Sequence, residues 1–250
     1  MDNYEQQAHI QLQFWQRRMQ QKPSFGSRIA KGVQDKINSI IPDKVHNAIT
    51  TAIEKMVKGV LFGARYTTKT PVDDASLQLR EAKVKQQIEF YQKTASVEGA
   101  VTGAGGILMG LADFPILIGI KIKLLFDIAA TYGYDVSDYK ERLYILYVFQ
   151  LAFSSQKGRN EVYEKIAAWQ GYSSSLPNNP EAFDWRAFQQ EYRDYIDLAK
   201  MAQLIPFIGA AVGAVVNYRL VAQLGETAIN CYRMRKIIPL KILMPGEESL

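Results

Sequence analysis

Two stretches of this 250-residue chain carry almost no charge, and they constrain its fold more than anything else in it. Residues 99–120 (GAVTGAGGILMGLADFPILIGI) hold six glycines and a single ionisable group, Asp113, and residues 201–218 (MAQLIPFIGAAVGAVVNY) hold no charge at all. Neither alternates as a half-buried strand does, and both are long enough for helix. Glycines recur four residues apart in each: Gly99 and Gly103, Gly106 and Gly110, then Gly209 and Gly213. Small residues at that spacing form a groove along one helix face and let a second backbone approach. Each stretch contains one proline, Pro115 or Pro206, and each leads into positive charge, Lys121 and Lys123 or Arg219.

Two environments suit such segments. About 20 apolar residues cross a hydrocarbon core. Here glycine and proline interrupt the run, and Asp113 near its middle would cost about 2.5–3.5 kcal/mol at the bilayer centre. The other environment is the interior of a helical bundle, where a helix apolar on every side is buried. A mean hydropathy of -0.15 suits a soluble or peripheral protein. A state in which packed hairpins open onto lipid satisfies both, and the sequence leaves the choice open.

Helical periodicity dominates the remainder. A weakly apolar helix is expected over residues 4–21, and a second over 29–40, where Ile29, Val33, Ile37 and Ile40 share a face. Asp43 can cap a third, with Val45, Ile49, Ile53, Met56, Val60 and Ala64 on one side and Lys55 and Lys58 at its polar edge. A charged helix follows over 77–93. The helix expected after residue 121 is stopped at Gly133, with Asp135 or Ser137 capping the next. One or two helices span 141–169, a loop spans 171–185, and further helices cover 188–200 and run to Arg235. The expectation is an all-α, multi-helix bundle around two central glycine-rich elements. It forms one domain over 1–250, with an amphipathic N-terminal segment (1–66), a bundle core (67–235) and a tail (236–250).

Charge is unevenly placed. Of the net +5, residues 1–66 carry the whole excess, with 10 basic and 5 acidic side chains against 20 of each in the rest. The basic residues alternate with apolar ones instead of forming a dense run, so nucleic acid is not the expected partner. A membrane surface is, with Lys55 and Lys58 each contributing about 1 kcal/mol near anionic lipid. The alternative is an ordinary bundle helix with a solvated polar face. No secretory signal opens the chain, and Cys231 is its lone cysteine, which together suggest the cytoplasm or the cytoplasmic face of the cell membrane.

Catalytic material is thin. A zinc site of nitrogen and sulfur ligands would need His9, His46 and Cys231 together, and neither G-x-S-x-G nor H-E-x-x-H occurs. The glycines at 103, 105 and 106 lack the lysine of a phosphate loop and the third glycine of a dinucleotide fingerprint. No cofactor, catalytic residue or metal ligand is expected. Asp113 allows three readings. It is an isolated acid whose pKa burial would raise, or an N-cap restarting a helix before Pro115, or a partner of Arg219, Lys123 or Asn217 that keeps the two glycine-rich elements in register. Tyr132, Tyr134, Tyr139, Tyr144 and Tyr147 suit either an interfacial belt or an ordinary core. Cys231 is expected as a small buried residue of the last helix.

The segments IIPDKVHNAI (40–49), TGAGGILMGLADFP (102–115), IAATYGYD (128–135) and IPFIGAAVGAVVNYR (205–219) together resemble the EcsC family, over most of the chain. The namesake of that family is a bacterial protein encoded beside ABC transporter subunits. The resemblance implies no reaction. By analogy it implies an accessory role near a membrane transporter, with the lipid surface or transporter subunits as partners. A cytosolic hydrolase using carboxylate acid/base chemistry, or a soluble helical interaction module, are the alternatives.

Overall fold

The computed structural model describes residues 2–21, 43–60, 71, 74–104, 106–154, 156–195 and 210–243. Among these the chain is all helix, without a strand: α1 (Asn3–Gln20), α2 (Asp43–Lys58), α3 (Leu77–Ala104), α4 (Gly106–Thr131), α5 (Tyr139–Phe153), α6 (Gln156–Ala167), α7 (Trp169–Ser175), α8 (Trp185–Tyr195) and α9 (Ala210–Leu243). The expected all-α bundle is what forms. The helix expected over 29–40, Pro206, Gly209 and the end of the tail lie outside the described residues.

Local chemistry explains where helices begin and which face they bury. Asp2 accepts the Glu5 amide at 2.7 Å while the Glu5 carboxylate accepts the Asp2 amide, a reciprocal cap that starts α1. Ala8, Leu12, Trp15 and Met19 then step by four, three and four onto one stripe, buried where α1 meets α9, α6 and α3. In α2 the residues Ile49, Ala52, Ile53, Met56 and Val57 are buried, and the helix packs on α4 and α8. Gly133, with φ of 90°, ends the segment after α4 as expected. The next cap is Asp138, whose carboxylate accepts the Lys140 amide, and not Asp135 or Ser137. Asp135 instead accepts the Ser137 amide and hydroxyl, both at 2.8 Å, a local turn one step too early to start α5.

Three long helices form the centre. On α3, Gln87 and Tyr91 reach Thr131 and Asp127 of α4, while Glu81, Gln92 and Ser96 reach Arg233, Tyr218 and Ala214 of α9. Rising numbers on α3 meet falling numbers on both partners. So α4 and α9 each run antiparallel to α3 and parallel to one another. The α3 and α9 backbones approach so closely that a Cβ added at Gly225 would stand 2.5 Å from Ile88 Cδ1.

Residues 99–120 are therefore not one segment. They form the last turns of α3, which ends at Ala104, and the first half of the antiparallel α4, which begins at Gly106. Pro115 does not interrupt α4, which continues to Thr131 with Pro115 exposed on its outer side and Phe114, Leu117 and Ile118 buried. The backbone at Asp113 lies two turns inside that helix, so the N-cap reading of Asp113 is corrected. Its side chain lies outside the described set. The tyrosines take the core alternative. Tyr132 stacks on Tyr232 with centroids 5.2 Å apart, Tyr144 packs on Trp169 and Tyr232, and all four rings are buried beside α5. Cys231 is buried on α9 as expected.

Candidate functional site

The antiparallel arrangement brings the described parts of both charge-free stretches, residues 99–104 and 106–120 of the first and 210–218 of the second, to one end of the bundle. The corner between α3 and α4 lies there, and so does the start of α9, because Ser96 Oγ donates to the Ala214 carbonyl at 3.2 Å. Gly99 and Gly103 fall in the last turns of α3, Gly106 and Gly110 in the first turns of α4, and Gly213 in the first turn of α9. This end keeps large apolar side chains in solvent: Val97 is 65% exposed, Ile116 51%, Val215 50% and Tyr218 46%. Lys93 and Arg219, both exposed, stand at its border on α3 and α9, and the half-buried Glu98 is the acid of that part of α3.

Directly behind this surface lies a charge that sequence reasoning did not single out. Lys121 is 0% exposed, and its Nζ donates to the Asn217 Oδ1 at 3.0 Å and the Leu117 carbonyl at 3.3 Å. No carboxylate among the described residues faces it. Burial alone drives its pKa down to about 7, since the charged form loses its water and gains only two neutral acceptors. Asn217 thus links α9 to α4 through Lys121, whereas the side chain of Asp113, the partner expected for Asn217, lies outside the described set. Lys123 pairs with Asp127 one turn along its own helix, and Arg219 is exposed to solvent. A lysine at the close of a neutral run looks like an interfacial flank, and only the arrival of Asn217 from 96 residues away makes it interior.

The far end of the bundle is polar inside. Glu81 receives both Arg233 nitrogens, at 2.7 and 2.5 Å, together with the hydroxyls of Tyr4 (2.7 Å) and Tyr132 (3.3 Å). That carboxylate and its own burial push the Tyr4 phenol up to about 12. Glu141 accepts from Arg235 at 2.7 Å and from the Tyr232 hydroxyl at 2.8 Å, and the Arg235 guanidinium lies 3.6 Å from the Tyr134 ring centre. Burial raises the Glu141 pKa, and Arg235 opposes it. These carboxylates are already held by arginines and tyrosines, which makes them fasteners of α3 and α5 to α9.

Lys55 and Lys58 are exposed, as a surface role requires. The apolar face beside them is occupied by packing, so α2 in this state cannot lay that face on lipid. Among the described residues no helix is long and apolar enough to cross a membrane.

The family resemblance of the sequence is borne out by comparison with known proteins. The chain is 45% identical to Protein EcsC of Bacillus subtilis (strain 168), over 88% of its own length and 91% of that protein. It is 25% identical to the protein YdbA of the same organism, over 88% of each. No solved structure matches it. The family described as the EcsC protein family matches residues 6–237, nearly the whole chain, and the protein belongs to that family.

Proposed function

We propose that this protein is a membrane-associated accessory protein that applies the apolar end of its bundle to the cytoplasmic surface of a bilayer. The observation that carries the reading is the convergence of the described residues of two charge-free stretches, far apart in sequence, on one end where Val97, Ile116, Val215 and Tyr218 stand in solvent. Large apolar side chains clustered at one pole of a soluble fold mark a contact surface. Lys93 and Arg219 beside them suit anionic headgroups, and Tyr218 has the amphipathic ring favoured at that depth. Insertion is shallow: the stretch that looked like a span is a helical corner, and a corner dips into the interface without crossing.

Half-exposed side chains of this size gain about 1 kcal/mol each on entering an apolar phase. Ile116→Glu with Val215→Glu removes about 2 kcal/mol of that gain, equivalent to about a 30-fold loss of partitioning. Flotation with protein-free anionic vesicles is the test. The wild type should rise with them and the double variant should not; equal flotation of the two, or none by the wild type, overturns the proposal. A transporter subunit as the partner at this same end would instead give binding only to membranes that contain it. The hydrolase alternative has less support, because Glu81 and Glu141 are each committed to an arginine.

A further inference from the structure

A second surface, running from the border of the apolar end at Gln92 toward Arg233, has the chemistry of a ligand site. A groove of about 680 Å³ runs between α1, α3 and α9, within the range of roughly 300–1,000 Å³ typical of small-molecule sites. Phe14, Trp15, Ile88 and Ile229 supply apolar wall, and Ala222 contributes a small side chain beside them. Phe14 stays largely in solvent although it borders the groove, which is costly for a phenyl ring unless something covers it.

The polar groups of the groove are not all satisfied. Of its cations, Arg233 is neutralised by Glu81, and Arg18 pairs with Glu226 at 2.5 Å. Lys85 is exposed and makes no ion pair or hydrogen bond among the described residues, which leaves one uncompensated positive charge over apolar walls. Asn230 is buried. Its Nδ2 donates to the Glu226 carbonyl at 2.9 Å, while its Oδ1 accepts no hydrogen bond. A buried acceptor left so costs about 1–3 kcal/mol.

We infer that this groove binds a small amphipathic monoanion: an apolar body against Phe14, Trp15, Ile88 and Ile229, and an acidic group on Lys85. The inference does not depend on the membrane reading. A matched pair of dyes tests it on the full chain. Anilinonaphthalene sulfonate has aromatic rings, an aryl N–H and one negative charge; phenylnaphthylamine has the same rings and N–H without the charge. Lys85→Met removes an exposed cation and should weaken the sulfonate about fivefold, leaving the neutral amine unchanged. Ala222→Phe fills the groove and should abolish binding of both, with helical content by circular dichroism as the check on folding. Sulfonate affinity unchanged in Lys85→Met, equal losses of the two dyes in that variant, or sulfonate binding lost instead in Ile116→Glu with Val215→Glu, overturns the assignment.

Discussion

Lys121 offers the sharpest quantitative test of the interior. In the unfolded chain its amine titrates near 10.5, and in the folded protein burial lowers that value to about 7. Below pH 7 both states hold the proton, and the folded state bears the full cost of a dry ammonium. Above it the unfolded chain keeps the proton that the folded chain has released. Unfolding then takes up a proton, so stability rises with pH by about 1.4 kcal/mol per unit until the unfolded amine titrates too. Half-titration at the start of the window trims the gain, and between pH 7 and 9 it amounts to about 2 kcal/mol. The window closes there because burial raises the Cys231 thiol and Tyr144, Tyr192 and Tyr232. These groups ionise first in the unfolded chain, and stability falls as they do. Lys121→Met keeps the volume and removes the titration. It also leaves Asn217 Oδ1 without its lysine donor, a penalty of about 1–3 kcal/mol that does not vary with pH. Urea unfolding followed by circular dichroism at a series of pH values should show the wild type gaining about 2 kcal/mol on the variant as the pH rises from 7 to 9. Parallel curves for the two proteins would refute the buried, unpaired ammonium.

Elsewhere the expected effects are simpler. Glu81→Gln strands Arg233 in the core and should cost about 3–5 kcal/mol by denaturant unfolding, whereas Arg18→Ala breaks an exposed pair with Glu226 and should cost less than about 1 kcal/mol. Gly225→Ala forces a methyl against Ile88 and should cost about 1–3 kcal/mol. Adding Ile88→Ala removes the atoms in the way, so the double variant should be less destabilised than the sum of the two single changes, measured as a double-mutant cycle.

What was legible in the sequence was whatever depends on neighbours along the chain. The helix expected over residues 4–21 and the stop at Gly133 rest on such neighbours, and each forms accordingly. Errors arose where local signals compete. Asp135, Ser137 and Asp138 all cap well, and only the packed position of α5 selects Asp138. Residues 99–120 were visible as neutral, but neutrality has no direction, and nothing local shows that they divide between the antiparallel helices α3 and α4. Pro115 looked like a restart because a proline costs an intrahelical bond, yet its ring faces outward while its neighbours hold the helix in the core. Groups assembled from distant positions gave no signal at all. Lys121 meets Asn217, Glu81 meets Arg233, and Lys85 and Asn230 share a groove, each joined only through the register of α3, α4 and α9.

That register places the apolar end, and a depth measurement addresses it directly. Cys231 is fully buried, so a fluorophore attached through an introduced thiol reports one chosen site. Val215→Cys places it among the exposed apolar side chains, and Leu79→Cys places it on an equally exposed position at the opposite end of α3. On adding anionic vesicles, the label at 215 should shift to the blue and be quenched by nitroxide lipids, while the label at 79 stays in water. Quenching at both sites alike, at 79 alone, or at neither would contradict a membrane-facing apolar end.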